Sequence, residues 1–309
     1  MVAMSPDIEM ETEAKGGFLK SISRSMFGGE SFFMNTYTGA KDDDRLLLAP
    51  PYPATSPWSR CKVIPCWYNL APTWLHQKVS RWTPALAALV TTFIYQRNVR
   101  GLGWGFGRPK YYLIAYLLPI IYAGIAYGID WLFGLGELNL NVLSDNPLTS
   151  LLQILTIGVL TALISAVGEE IGWRGLLVPQ LARINPFIRT ALLSGLIWGI
   201  WHIPLIIGGG YSSGAPTWYA ITCFMVLIVG VSFAFAWLRL ASGSIWPAAL
   251  MHATHNTFIQ SFLDKVTLDT GRTEFFTTEF GLGLAIMGII IGLIFWKIGL
   301  PNDISLGEN

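Results

Sequence analysis

The chain has 309 residues, of which 52% are hydrophobic and 13% charged, with a mean hydropathy of +0.49 and a formal net charge of +1. A soluble domain carries roughly 25% charged residues, so composition excludes a water-bathed globule and points to a polytopic membrane protein. The near-neutral balance leaves no basic footprint for nucleic acid.

Residues 1–55 are polar and rich in turn formers, and no cleavable signal peptide is evident because a basic and then an apolar region never occur in that order. Little packed structure is expected there. Residues 56–82, with Trp58, Trp67, Trp74 and Trp82 among scattered basic residues, read as an interfacial segment. The apolar stretch 84–95 is short of the roughly 20 residues that span a bilayer, which makes it a truncated span or a surface helix. A basic loop follows (Arg97, Arg100, Arg108, Lys110), containing Gly101, Gly103 and Gly105. No strand precedes those glycines, so they are turn residues and not a phosphate cradle.

Apolar segments then occupy 111–134, 150–168, 187–208, 217–240 and 281–299, with a shorter one at 244–262. The fold class is therefore all-α, a membrane helix bundle of about six to seven apolar segments over residues 83–300, closed by a tail at 301–309. Pro204 is expected to kink or end its helix, whereas Pro247 sits near a helix start, where proline is tolerated. Gly195-xxx-Gly199 and Gly288-xxx-Gly292 place small residues on one face for close helix contact. Cys61, Cys66 and Cys223 are too few and scattered for a disulfide framework or a cysteine zinc site, and read as small buried side chains. Lys and Arg concentrate in alternate loops, an asymmetry that puts the end of the 150–168 segment on the cytoplasmic side of a plasma membrane.

That end carries Gly168-Glu169-Glu170-Ile171-Gly172-Trp173-Arg174-Gly175. A charge at the bilayer centre costs about 2.5–3.5 kcal/mol on insertion scales, so such groups need compensation. On a continuing helix Glu170 and Arg174 share a face, while Glu169 points about 100° away. The simplest division gives Glu170 to Arg174 and leaves Glu169 for chemistry. Of four histidines, three fall in apolar segments: His202 four residues after Trp198, and His252 and His255 beside Asn256. His252 and Asn256 share a helix face, with His255 about 60° off it. A single intramembrane histidine is more often helix-to-helix glue than a catalyst. Three segments each bringing such groups are satisfied more cheaply together, in one pocket.

Such a pocket supports two chemistries. Glu169 with His202 can activate water, while His252 and Asn256 donate to the oxygen of a tetrahedral intermediate, a set sufficient to hydrolyse an amide. Alternatively, Glu169, His202 and His252 supply the three ligands of a catalytic zinc with an open water position. The His-Glu-x-x-His signature of soluble zinc proteases is absent, so spacing alone does not demand a metal.

The ordered set Glu169-Glu170-xxx-Arg174, Trp198-xxx-His202 and His252-xxx-Asn256 resembles the three motifs of the CPBP intramembrane proteases, the group of type II CAAX prenyl endopeptidases and bacterial Abi immunity proteins. Trp82 to Leu89 and Leu102-Gly103-Trp104 resemble that family's entry region, so the likeness covers about residues 80–262. It implies Glu169 and His202 as water activators, His252 and Asn256 as the oxyanion site, and Glu170 with Arg174 as support. A membrane-bound peptide or protein would be the substrate, in contact with lipid, and the likeness leaves zinc dependence open. Two features depart from the family pattern. Trp198 stands where Phe is usual, a large aromatic for which a pocket-wall role is expected all the same, and a polar stretch stands where a full span usually precedes the Trp82 region. The competing readings are a catalytically inactive scaffold or immunity factor using the same pocket, and a proton or ion transporter. The latter expects paired repeats with broken helices, and the sequence has no such symmetry. Separately, Gly16–Lys20, Gly28–Tyr37 and Leu48–Pro51 resemble, over about forty residues, a β-rich family named for altered inheritance of mitochondria.

Overall fold

A computed structural model describes residues 2–4, 8–13, 34–39, 46–48 and 73–301, apart from 144, 145, 209, 210 and 212, with side chains from 81 onward. The chain divides into two units, Met1–Val79 and Ser80–Asn309.

In the first unit, strands β1 (Val2–Met4) and β4 (Leu46–Leu48) pair antiparallel, as do β2 (Ile8–Glu13) and β3 (Met34–Gly39). β3 carries Thr36, Tyr37 and Thr38, residue types that suit an extended backbone. Most of the 56–82 segment, including Cys61 and Cys66, lies outside the described residues, as does the tail after 301.

Seven helices organise the described part of the second unit. Helix α1 (Thr73–Gln96) absorbs the brief 84–95 segment into 24 residues and carries Pro84 inside it, so the sequence boundary at 82/83 falls mid-helix. Then come α2 (Lys110–Leu132), α3 (Leu148–Ala182), α4 (Phe187–Ile207), α5 (Thr217–Ser242), α6 (Trp246–Asn256, prolonged by a π-helical turn over Thr257–Leu263) and α7 (Leu282–Ile298). Helices α2 to α5 are long and apolar enough to cross a membrane, and α7 is a shorter apolar helix. The second unit is that of a membrane protein. A two-residue ribbon, β5 (Glu137–Leu138) with β6 (Thr267–Leu268), ties the loop after α2 to the loop before α7.

Local chemistry sets the boundaries. Asn146 starts α3 by accepting from the Thr149 amide at 3.1 Å, with Pro147 in the first turn. Gly243, at φ 71°, ends α5 in the left-handed conformation. Pro247 lies in the first turn of α6, and Pro204 sits four residues before Gly208 closes α4.

Helix α5 is the axis of the bundle: 72% of its apolar window is buried, against 17% for α3. It packs on α4 and α7, and α3 packs on α6. The α5–α7 crossing is backbone to backbone, since a Cβ on Gly288 would lie 2.7 Å from the Leu227 Cα, and one on Gly230 would collide with Gly288. Without a hydrophobic drive between helices in lipid, such contact supplies the packing energy. Gly288-xxx-Gly292 does what its spacing suggests. Gly195 and Gly199 likewise face α5, at Ser232 and Met225.

Candidate active site

Helix α3 does not stop at its acids but runs through them, changing to a π-helical turn over Ile171–Leu177. A π turn shifts hydrogen-bond partners by one residue and commonly marks function. Within it the Arg174 carbonyl accepts from Arg239 Nε at 2.7 Å. Gly168 and Gly172 flank the glutamates and admit α1: added Cβ atoms would meet Arg81 and Trp82 at 2.9 Å and Pro84 at 2.5 Å. The glutamates are thus closed off by backbone contact on that side.

Glu170 is fully buried, and its Oε1 accepts from Arg174 Nη1 at 2.9 Å and from His252 Nδ1 at 2.8 Å. The expected intrahelical pair is present, and the same oxygen also holds an imidazole from α6. Arg174 lies between two rings, its Cζ 4.1 Å from the centroids of both Trp198 and Phe235. A desolvated guanidinium gains most from such faces. That matters because Nε and Nη2 of Arg174, and Oε2 of Glu170, have no hydrogen-bond partner among the described residues.

Glu169 is 4% exposed and accepts from Trp198 Nε1 at 3.1 Å. It is therefore not free of partners, and Trp198 is more than a pocket wall. The Trp198 carbonyl accepts from His202 Nδ1 at 3.0 Å, and its ring stands edge-on to His202 and His252, with centroids 6.0 and 5.4 Å away. Both imidazoles, and Arg81 of α1, lie within coulombic range of the Glu169 carboxylate. The groups expected to meet are thus gathered around one indole from α3, α4 and α6. Asn256, half-buried one turn after His252, has no side-chain hydrogen bond among the described residues.

His255 belongs elsewhere. Its Nε2 donates to Glu279 Oε1 at 2.6 Å, and its Nδ1 accepts from the Tyr122 hydroxyl. Glu279 also accepts from Gln260 Nε2 at 3.0 Å and from the Tyr211 hydroxyl. The 60° offset of His255 from the His252 face signals a different partner. Nothing in the sequence separates Glu279 from the other acids of its loop.

The donor chemistry suits zinc in one respect: with both Nδ1 atoms engaged, the Nε2 atoms of His202 and His252 remain available, and a carboxylate behind a ligand histidine is a common arrangement. Yet among the described residues no three His, Cys, Asp or Glu side chains are gathered to hold an ion. Glu169, His202 and His252 as placed do not form a ligand set.

The fold and this centre define a membrane protein with ionisable side chains from three helices assembled inside its bundle. Comparison with known proteins gives the particular likeness: residues 151–258 match the family described as Type II CAAX prenyl endopeptidase Rce1-like. Over 117 residues the chain is 29% identical to CAAX prenyl protease 2 of Methanococcus maripaludis, a match covering 36% of this chain and 42% of that relative. The chain thus spans less than half the length of the curated relative it matches. The matched stretch holds all three motifs, while the entry-region likeness at Trp82 to Leu89 and Leu102-Gly103-Trp104 falls outside the family match. Residues 1–68 match the family described as Mitochondrial biogenesis AIM24, a longer stretch than the forty residues legible by eye.

Proposed function

We propose that the chain is an intramembrane endopeptidase that cleaves membrane-bound peptides with water activated by Glu169 and His202. The observation that carries this reading is the meeting of Glu169, His202 and His252 around Trp198, within the stretch similar to CAAX prenyl endopeptidases. Water between Glu169 and His202 loses its proton to the carboxylate. The Nδ1–H bond to the Trp198 carbonyl leaves the His202 Nε2 lone pair free to share the water. Attack on the peptide carbonyl places negative charge on its oxygen, facing His252 and Asn256. For His252 to donate from Nε2 it must carry a second proton, and the Glu170 carboxylate at Nδ1 compensates that charge. The proton held by Glu169 then passes to the leaving amine. Substrates reach the centre from the bilayer, which makes lipid the second partner.

A panel of membrane peptides incubated with the purified protein in proteoliposomes, with and without a chelator, tests this. Cleavage that persists under chelation supports the glutamate–histidine route, cleavage lost under chelation moves the same residues to a metal-assisted route, and no cleavage of any peptide refutes the enzyme.

A further inference from the structure

Resting on that reading of His202, we propose that Glu279 is a positioning residue that holds the His202 ring through Tyr211. Among the described residues His202 has one hydrogen bond, to the Trp198 carbonyl, so its ring orientation depends on its walls. These are Trp201 at 4.7 Å, Phe224 at 5.1 Å, Trp198 at 6.0 Å and Tyr211 at 6.1 Å between ring centroids. Trp201 and Phe224 are fixed on α4 and α5. Tyr211 is not in a helix: it sits in the loop between them, and its ring is kept in place by Phe224, Phe280 and the hydroxyl bond to Glu279.

Glu279 is itself a loop residue and 4% exposed. A carboxylate there costs several kcal/mol unless its oxygens are occupied, and three donors occupy them: His255 of α6, Gln260 of its π-helical extension, and Tyr211 of the loop after α4. Tyr122 on α2 completes the chain by donating to His255. A neighbouring tie, from the Thr278 amide to the Tyr127 hydroxyl at 2.8 Å, pins the same loop to α2. Helices α2 and α6 thereby tie down the Glu279 loop, and Glu279 in turn holds Tyr211 beside the His202 ring. Supporting shells of this kind decide whether a reacting group is held to within a fraction of an ångström.

The test compares Glu279→Gln, Tyr211→Phe and the double variant in detergent by three readouts: thermal unfolding, carbethoxylation of His202 followed by mass spectrometry, and kcat with KM on any peptide the wild type cleaves. Both single variants keep the side-chain volume. The proposal expects His202 modification to quicken by about fivefold or more, kcat to fall about tenfold with KM within about twofold, and the double variant to be no worse than either single. Unaltered His202 modification, losses that multiply in the double variant, or a kcat loss that merely tracks unfolding would overturn it. The modification readout needs no substrate, so it decides the positioning role even if no peptide is cleaved, a result that would remove only the peptidase reading.

Discussion

Removing the Arg174 side chain tests the most unusual feature of the site, a fully desolvated ion pair inside a membrane helix. In Arg174→Ala, Glu170 keeps, among the described residues, His252 alone as a partner for Oε1, and Oε2 already has none there. Breaking a buried pair on one side costs about 3–5 kcal/mol, because the remaining charge stays uncompensated. The two ring faces at 4.1 Å add about 1–2 kcal/mol, and Trp198 and Phe235 are left around a void. Removing both charges together is different: a Glu170→Gln, Arg174→Met double variant has no orphaned ion and is expected within about 2 kcal/mol of wild type. Reversible unfolding in mixed micelles, run as a double-mutant cycle, separates these terms. The reasoning is refuted if Arg174→Ala costs under about 1 kcal/mol, or if the double variant is as unstable as the single one.

Asn256→Ala is expected to slow peptide cleavage about a hundredfold or more without loss of fold, and a loss of only a few-fold would assign Asn256 to packing. Gly230→Val, placed against the Gly288 backbone, is expected to destabilise by about 1–3 kcal/mol by forcing α5 from α7. A variant as stable as wild type would show that this contact yields freely. Burial pushes the Asp264 carboxyl up to about 7, against the Tyr127 hydrogen bond and with the Glu279 charge adding to the rise. Between about pH 4 and 7 the folded chain keeps a proton that the unfolded chain has released, so stability falls as pH rises through that window and levels above it. Asp264→Asn is expected to flatten the slope, and an unchanged pH profile would place the effect on another group.

Much of the bundle is legible in the sequence because lipid leaves few alternatives: apolar runs must close their own backbone hydrogen bonds as helices. The Glu170–Arg174 pair follows from a four-residue spacing, and the α5–α7 contact from Gly288-xxx-Gly292. Other features depend on what the chain meets in space. The 84–95 stretch reads as truncated because its helix begins in the polar residues from Thr73, where hydropathy gives no signal. The π turn at Ile171–Leu177 has no composition of its own that marks it in the sequence. Trp198 reads as a pocket wall, yet its indole N–H reaches Glu169, and only the approach of α4 to α3 reveals that donor role. Glu279 is hidden among acids of an ordinary loop, and Tyr211 among glycines and serines. Their importance lies in which helices they bridge, and that is not a local property of the chain.

The central claim is that Glu169 handles the proton of the attacking water. Glu169→Gln keeps the side-chain volume and an acceptor for the Trp198 N–H, and it removes only the base. Turnover of a peptide cleaved by the wild type, measured beside the variant in matched proteoliposomes, is predicted to fall to background with unfolding unchanged. Cleavage at the wild-type rate by the folded variant would contradict the account.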